Sequence, residues 1–248
     1  EEVLVSSGFL GALLAGFIGG YVVLFLKKLF SFMPKSLEGI RTILIYPVAG
    51  VLLIGLIMLL INPFVSAINT GLNNFLSSMS EVNKVILGAI LAGMMSVDLG
   101  GPVNKAAYTF GTGMLAEGHY EIMAAVMIGG MVAPLAIALL ATFFPKKLPK
   151  KERQAGLLNY VMGLSFISEG AIPFASADPI RVLPACIVGS AVSGALSMAF
   201  NCTLMAPHGG IFVLPLIGNW FWYVVALAIG SVIAMGIMAA LKKNIWEK

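Results

Sequence analysis

The sequence predicts an all-α protein that crosses a membrane several times and contains re-entrant hairpins or broken helices. Hydrophobic residues make up 59% of the 248 residues and charged residues only 10%, whereas a soluble domain carries about 25% charged residues. The apolar residues form long runs, not the short alternating strands of a membrane β-barrel. The lysines and arginines cluster between or after these runs, as they do in the cytoplasmic loops of helical membrane proteins.

The first part of the chain predicts two spanning helices joined by an interfacial segment. Val3–Leu26 is apolar, carries small residues four apart that let helices approach closely, and ends at a lysine pair. Leu29–Arg41 is too polar to span but has enough apolar side chains to lie at the cytoplasmic interface. Thr42–Ile61 is predicted to return outward and to end before Pro63, and residues 63–83 are expected to form an outer connection.

The second part predicts three further spans separated by shorter, interrupted pieces. The spans are Tyr120–Phe144, Val182–Met205 and Asn219–Leu241. Two shorter helices, Lys84–Val97 and Ala155–Ser168, fall below the ~20 residues that a span needs. Polar stretches rich in glycine and proline follow, and they predict broken segments near 98–111, 166–184 and 206–218.

Five charged side chains lie within the first two broken segments, where a bilayer would exclude them. They are Asp98, Lys105, Glu169, Asp178 and Arg181. An ionisable group inside a membrane costs at least ~2.5 kcal/mol on insertion scales, so it usually marks a functional site. Two similarly built, broken segments in one membrane protein indicate a substrate site near the midplane of a transporter. We therefore expect a transporter whose site is built from both segments.

Glu169 is the strongest candidate for substrate binding and for chemistry. A carboxylate can accept hydrogen bonds from neighbouring hydroxyls of a sugar and can orient or deprotonate one of them. The alternative is a salt bridge from Glu169 to Lys105 or Arg181. Asn104 offers a donor and an acceptor that suit sugar hydroxyls. His208 lies in the third break, between Pro207 and a glycine pair, and is a further binding candidate.

The other charged residues fit two interpretations each. Asp178 and Arg181 are three apart on one helical face, and Asp178 precedes a proline as an N-cap residue would. Mutual pairing therefore competes with substrate binding, although Arg181 could also hold a phosphate group. Asp98 and Lys105 fit either a pair within one hairpin or contacts to substrate.

The half-helix N-termini near Pro102 and Pro179 are expected to be open anion sites that face each other across one cavity. The cysteines Cys186 and Cys202 lie in apolar sequence without metal-ligand spacing, which favours packed thiols. The sequence has no P-loop motif. We therefore expect neither a metal nor a cofactor.

Three motifs are long enough to identify a family resemblance. GGPVNKAAYTFG, SEGAIPFASADPIRVLP and APHGGIFV closely resemble the membrane-embedded enzyme IIC component of the bacterial phosphoenolpyruvate-dependent sugar phosphotransferase system, fructose type. The resemblance runs from about Gly8 to Leu241. It implies a permease of the bacterial inner membrane that carries fructose or a related hexose across while a phosphorylated enzyme IIB phosphorylates it. The phosphoryl donor residue belongs to enzyme IIB, so this chain would be the membrane component of a sugar phosphotransferase.

The resemblance also implies roles for single residues and for the two parts of the chain. Glu169 is expected to contact the hydroxyl that receives phosphate, and His208 to help hold the sugar. Related proteins are homodimers, which makes residues 1–83 scaffold and dimerisation helices and residues 84–248 the sugar-binding transport core. Fructose-type members usually have further spans before this region, so the chain is expected to be part of a longer enzyme IIC domain with a cytoplasmic C-terminus.

Two other functions are compatible with the residues taken without the resemblance. An ion-coupled secondary sugar transporter uses the same broken helices, with Asp98 or Glu169 as proton carrier. A non-transporting scaffold or sensor could share the fold. The net charge of +4 does not indicate a nucleic-acid partner, because the basic residues cluster at the ends of apolar runs.

Overall fold

The computed structural model describes residues 7–78 and 81–244. The chain divides between Ser78 and Met79 into two compact units. Within the described residues, five helices are long and apolar enough to cross a membrane, which confirms the all-α polytopic class. Residues 3–6 of the predicted first span lie outside the described part of the chain.

Two long helices form most of the first unit. Its helices are α1 (Gly8–Leu29), the short α2 (Glu38–Ile40), a π-helical turn at Arg41–Ile45 and α3 (Tyr46–Ser78). A Cβ added at Gly19 in α1 would lie 3.2 Å from Ile54 Cδ1 in α3, so the glycine lets these helices pack closely. The connection between the two helices is helical and is held by Arg41, whose Nη1 donates to the Phe30 carbonyl at 3.3 Å.

The helix α3 does not end before Pro63, as the sequence predicts, but continues to Ser78. The expected connection over 63–83 is therefore helical up to Ser78, and α4 begins at Glu81. A proline removes one backbone donor, which a membrane helix can tolerate. Val65 and Asn69, four residues apart, are both buried, so one face of the helix continues to pack beyond the proline.

The second unit surrounds one central helix. Its helices are α4 (Glu81–Met94), α5 (Pro102–Ala116), α6 (Tyr120–Phe143), α7 (Lys150–Leu164), α8 (Ile172–Ala177), α9 (Pro179–Ala199) and α10 (Trp220–Leu241). Every residue of α6 from Ile122 to Ala138 is buried, and α4, α5, α7, α9 and α10 all pack against it. A helix that is apolar on all sides is expected at the centre of a membrane bundle.

The three predicted breaks are present, but two of them contain more regular structure than expected. Residues 95–101 form turns, and Pro102 opens α5 as predicted. The second break, predicted near 166–184, holds a helical turn at Ser168–Ala171 followed by α8. In the third break the strands β1 (Thr203–Leu204) and β2 (Ile217–Gly218) pair antiparallel around a helical turn.

Buried serines connect the first break to the bundle. Ser190 Oγ in α9 donates to the Gly129 carbonyl in α6 at 2.8 Å, and Ser96 Oγ lies 2.7 Å from Ser190 Oγ. Because the Ser190 hydroxyl already donates to the Gly129 carbonyl, Ser96 Oγ is the donor and Ser190 Oγ the acceptor in the bond between the two serines. Buried hydroxyls must be paired in this way to avoid a desolvation penalty, and the chain of bonds fixes the end of α4 against α6 and α9.

Substituting Gly194 by alanine is expected to destabilise the second unit, because α4 and α9 touch there. A methyl group at Gly194 would overlap the Ala92 side chain and the Gly88 carbonyl. Overpacking of this kind costs about 1–3 kcal/mol. Thermal unfolding of the detergent-solubilised protein measures it. Gly236→Ala is the matched control, since no atom lies within 4 Å of a Cβ there, and equal midpoints for both variants would contradict this packing.

Candidate functional site

A cavity of about 230 Å³ lies where the three broken segments meet. It is lined by Met95, Asn104, Lys105, Tyr108, Phe166, Ile167, Ser168, Glu169 and His208. The sequence-predicted candidates found among these residues are Asn104, Lys105, Glu169 and His208. The candidates that do not line it are Asp98, Asp178 and Arg181. The cavity thus brings together the breaks that lie far apart in the sequence.

Glu169 reaches the cavity from the helical turn Ser168–Ala171. Its side chain lies against Gly100, where an added Cβ would be 2.8 Å from Glu169 Oε1. Gly100 has φ of +111°, a conformation that favours glycine. Within the described residues the Glu169 side chain has no hydrogen bond or ion pair, so the expected alternative of a salt bridge to Lys105 or Arg181 is not formed. Its carboxylate oxygens are available to a ligand.

Asn104 joins the first break to the second. Its Nδ2 donates to the Met95 carbonyl at 2.6 Å and, more weakly, to Ser168 Oγ at 3.4 Å. The side chain is buried, and a buried amide without partners would be costly. Asn104 therefore joins the Met95 backbone to the Ser168 side chain, next to Glu169.

Phe166 also lines the cavity, and the sequence did not predict it as a site residue. It is 6% exposed and has φ of +62°, which costs a non-glycine residue about 1–2 kcal/mol. Its ring packs on Gly130, where an added Cβ would lie 2.5 Å from Phe166 Cε2. The centroid distances are 6.1 Å to Tyr108 and 5.1 Å to His208. The spacing of Tyr108, four residues after Asn104 on α5, could have indicated that both reach one site.

His208 is held at the cavity by the glycine pair that follows it. Gly209 and Gly210 both have positive φ, +130° and +59°. A Cβ at Gly210 would overlap the Leu164 carbonyl, at the end of α7. Only glycine lets the third break approach the second this closely. As a result the histidine ring packs against Phe166, with the two ring planes tilted by 56°.

Asp98 caps α5 and does not line this cavity. Its Oδ2 accepts from the Val103 N–H at 2.7 Å and its Oδ1 from the Asn104 N–H at 2.9 Å. The carboxylate thus satisfies the first free donors of the helix and complements its dipole. The expectation of an open anion site near Pro102 is wrong, because the protein's own carboxylate occupies these donors.

Asp178 occupies the N-cap position of α9, as predicted, but its side chain forms ion pairs. The distance to Arg181 Nη1 is 3.2 Å, and the distance to Lys242 Nζ, beyond the end of α10, is 3.0 Å. Partial burial acts to raise the pKa of Asp178, but the hydrogen bonds and charges of Lys242 and Arg181 outweigh it and lower that pKa below its usual value. This carboxylate places negative charge beside the N-terminus near Pro179, which was also expected to be open.

The two cysteines are buried and unpaired, as predicted for packed thiols. Burial raises the pKa of Cys202 to about 11. A thiol with this pKa is protonated at neutral pH, whereas the nucleophile in cysteine chemistry is the thiolate. Neither cysteine is among the residues that line the cavity.

Asp178→Asn is expected to lower the free energy of unfolding by about 1 kcal/mol, more than an exposed pair would. The side chains of Asp178 and Lys242 are only 18% and 11% exposed, so the substitution leaves Lys242 without its counter-charge. Glu38→Gln is the matched control, because Glu38 pairs with Arg41 at 3.6 Å but is 61% exposed. Chemical unfolding in detergent measures both variants.

The same pair predicts a pH dependence. Because the folded-state pKa of Asp178 is lowered, its stabilisation is present above the unfolded-state pKa of about 3.9 and is lost as pH falls through the folded-state value. Asp178→Asn should remove this part of the acid sensitivity. An equal loss of stability in the Glu38→Gln control, or no change in the acid limb, would contradict the assigned pairing.

The chain matches the family model described as "Phosphotransferase system, EIIC" over residues 3–189. It is 49% identical over 244 residues to the fructose permease IIC component of Bacillus amyloliquefaciens, covering 98% of this chain and 80% of that protein. It is 48% identical to the PTS system fructose-specific EIIABC component of Bacillus subtilis, covering 98% of this chain but 38% of the relative. The PTS system fructose-specific EIIC component of Haloferax volcanii is 41% identical, with coverages of 96% and 64%.

No solved structure matches the chain. The chain spans well under half of the length of several relatives that it matches, including the EIIB'BC component of Rhodobacter capsulatus, of which it covers 38%. The family assignment depends on the extent of the model match together with the close identity to a permease component of similar length. The chain belongs to the EIIC family of the phosphotransferase system.

Proposed function

We propose that this chain is the membrane permease part of a sugar phosphotransferase system and that it binds fructose or a related hexose. The observation that carries the proposal is the carboxylate of Glu169, which lines the cavity without a partner among the described residues. The relatives named above are fructose components, and this supports fructose as the substrate.

The lining of the cavity suits a sugar. Glu169 can accept hydrogen bonds from two neighbouring hydroxyls, and Lys105 and His208 can donate to others. Asn104 lies beside them, although its Nδ2 is already used between the two breaks. The rings of Tyr108 and Phe166 provide apolar surface for the C–H groups of the sugar. A few convergent polar groups in a largely apolar cavity are typical of a small-molecule site.

The proposed reaction is phosphoryl transfer from a phosphorylated enzyme IIB to a sugar hydroxyl. The bond between phosphorus and the enzyme IIB cysteine breaks, a bond from phosphorus to the hydroxyl oxygen forms, and Glu169 accepts the hydroxyl proton. Lys105 stabilises negative charge on the transferred group. The Bacillus subtilis relative is an EIIABC component, which supports an enzyme IIB partner for this chain. On this view the chain is the membrane component of the enzyme and enzyme IIB supplies the phosphoryl group.

We propose that three of the charged residues position structural elements around the cavity and do not act on the substrate chemistry. They are Asp98, Asp178 and Arg181. Asp98 holds the start of α5, which carries Asn104 and Lys105 into the cavity. Asp178 and Arg181 join the end of the second broken segment to Lys242. Direct contact of these three residues with the substrate stays a prediction from the sequence.

Further proposals concern the arrangement in the membrane. Lysines follow the C-terminal ends of both α6 and α10, and Lys147 Nζ donates to the Lys242 carbonyl, so the two ends lie together. Because basic residues favour the cytoplasmic side, we place these ends and the C-terminus in the cytoplasm of a bacterial cell with the bundle in the inner membrane. Residues 1–83 would act as the scaffold and homodimer contact, and 84–248 as the moving transport core.

Glu169→Gln is expected to reduce sugar phosphorylation by about 10²–10⁴-fold, because it removes the proton acceptor. Folding should change little, since the Glu169 side chain makes no hydrogen bond or ion pair within the described residues. The measurement is fructose phosphate formation in vesicles that contain the protein and enclose phosphorylated enzyme IIB. Glu152→Gln, which changes a carboxylate on α7 away from the cavity lining, is the matched control.

Unchanged phosphorylation in Glu169→Gln would refute the proposed role. If the unaltered protein instead accumulates free fructose without enzyme IIB, and an uncoupler collapses the gradient, the chain is an ion-coupled secondary transporter. If neither product nor flux appears while fructose still binds, the chain is a sensor or scaffold.

A further inference from the structure

A second groove lies at the ends of α6 and α10, away from the sugar cavity. It has a volume of about 300 Å³ and is lined by Phe143, Phe144, Pro145, Lys146, Lys147 and Asn244. The ammonium group of Lys147 donates to the Lys242 carbonyl, just past the end of α10. This hydrogen bond fixes one wall of the groove, so that its cationic side has a defined position.

The groove carries more positive charge than the neighbouring acid can neutralise. Asp178 already pairs with Arg181 and Lys242. Within the described part of the chain, Lys146 and Lys243 have no acidic partner, and both are exposed. Free ammonium groups at this position attract an anion.

The apolar side of the groove indicates which kind of anion fits. Phe143 is 65% exposed and Phe144 is 40% exposed, and Phe143 is the last residue of α6, one of the helices long and apolar enough to span a membrane. Aromatic rings at the end of a spanning helix lie at the level of the lipid headgroups. A free anion in water gains nothing from these rings, whereas a lipid offers an acyl chain to the rings and a phosphate to the lysines.

We propose that this groove binds the headgroup of an anionic phospholipid. The phosphodiester lies against Lys146 and Lys147, Asn244 contacts the polar headgroup, and the start of one acyl chain packs on Phe143. The lipid thereby joins the C-terminal ends of α6 and α10, next to the Asp178 cluster that ends the second broken segment.

The test is the thermal midpoint of the full chain in neutral detergent, titrated with short-chain phosphatidylglycerol. We expect a saturable rise in the midpoint that short-chain phosphatidylcholine and inorganic phosphate do not produce. Lys146→Gln should raise the phosphatidylglycerol concentration at half saturation about fivefold, as expected for one lysine near an anionic lipid. Phe143→Ser should raise this concentration as well. Lys27→Gln, an exposed lysine near the end of α1, is the matched control and should leave it unchanged.

Several outcomes would overturn the proposal. An equal response to phosphatidylcholine would mean bulk lipid solvation, and an equal effect of Lys27→Gln would mean diffuse surface charge. The same rise with inorganic phosphate would assign the groove to a free anion. If Lys146→Gln weakens the activity with enzyme IIB but leaves the phosphatidylglycerol titration unchanged, the groove is a protein contact. The thermal titrations with lipid and phosphate do not require the chain to transport fructose, so their results are independent of the proposed function.

Discussion

The contact between Gly100 and Glu169 is the constraint on which the rest of the site depends. Non-helical backbone inside a membrane is stable only where it is enclosed by protein or lines a watery cavity. The two breaks meet this requirement by packing against each other, with the Glu169 side chain against the backbone at Gly100. A side chain at position 100 would separate them, and the cavity would lose its shape together with its carboxylate.

Interactions of Asp98 and Phe166 stabilise the contact between the two breaks. Each has a cost, namely an occupied helix N-terminus at Asp98 and backbone strain at Phe166. Asp98 occupies the N-terminus of α5, which prevents that helix end from binding a substrate anion but fixes the residues that follow. Phe166 accepts a left-handed backbone conformation because its ring is packed on Gly130 and beside His208. Strain that is held by surrounding packing is a common feature of functional sites, and Phe166 lines the same cavity as Glu169.

Much of this architecture could be predicted from the sequence, because charge and proline are conspicuous in apolar runs. The predictable features include the three breaks and the prolines at the start of α5 and α9. They also include four residues that line the cavity, Asn104, Lys105, Glu169 and His208. What could not be predicted depends on tertiary contacts. The continuation of α3 past Pro63 reflects packing of one helix face, and the pairing of Asp178 with Lys242 joins residues 64 apart in sequence. Phe166 looked like an ordinary apolar residue until its φ angle was known.

The most direct test of the central contact compares Gly100→Ala with Gly118→Ala by fructose binding to the purified protein. Both glycines have positive φ, +111° and +90°, but a Cβ at Gly118 would meet no atom within 4 Å. Both variants should therefore lose stability through backbone strain, by about 1 kcal/mol, while only Gly100→Ala displaces Glu169. We expect Gly100→Ala to weaken fructose binding at least tenfold and Gly118→Ala to leave it unchanged. Equal fructose affinity in the two variants would contradict the account.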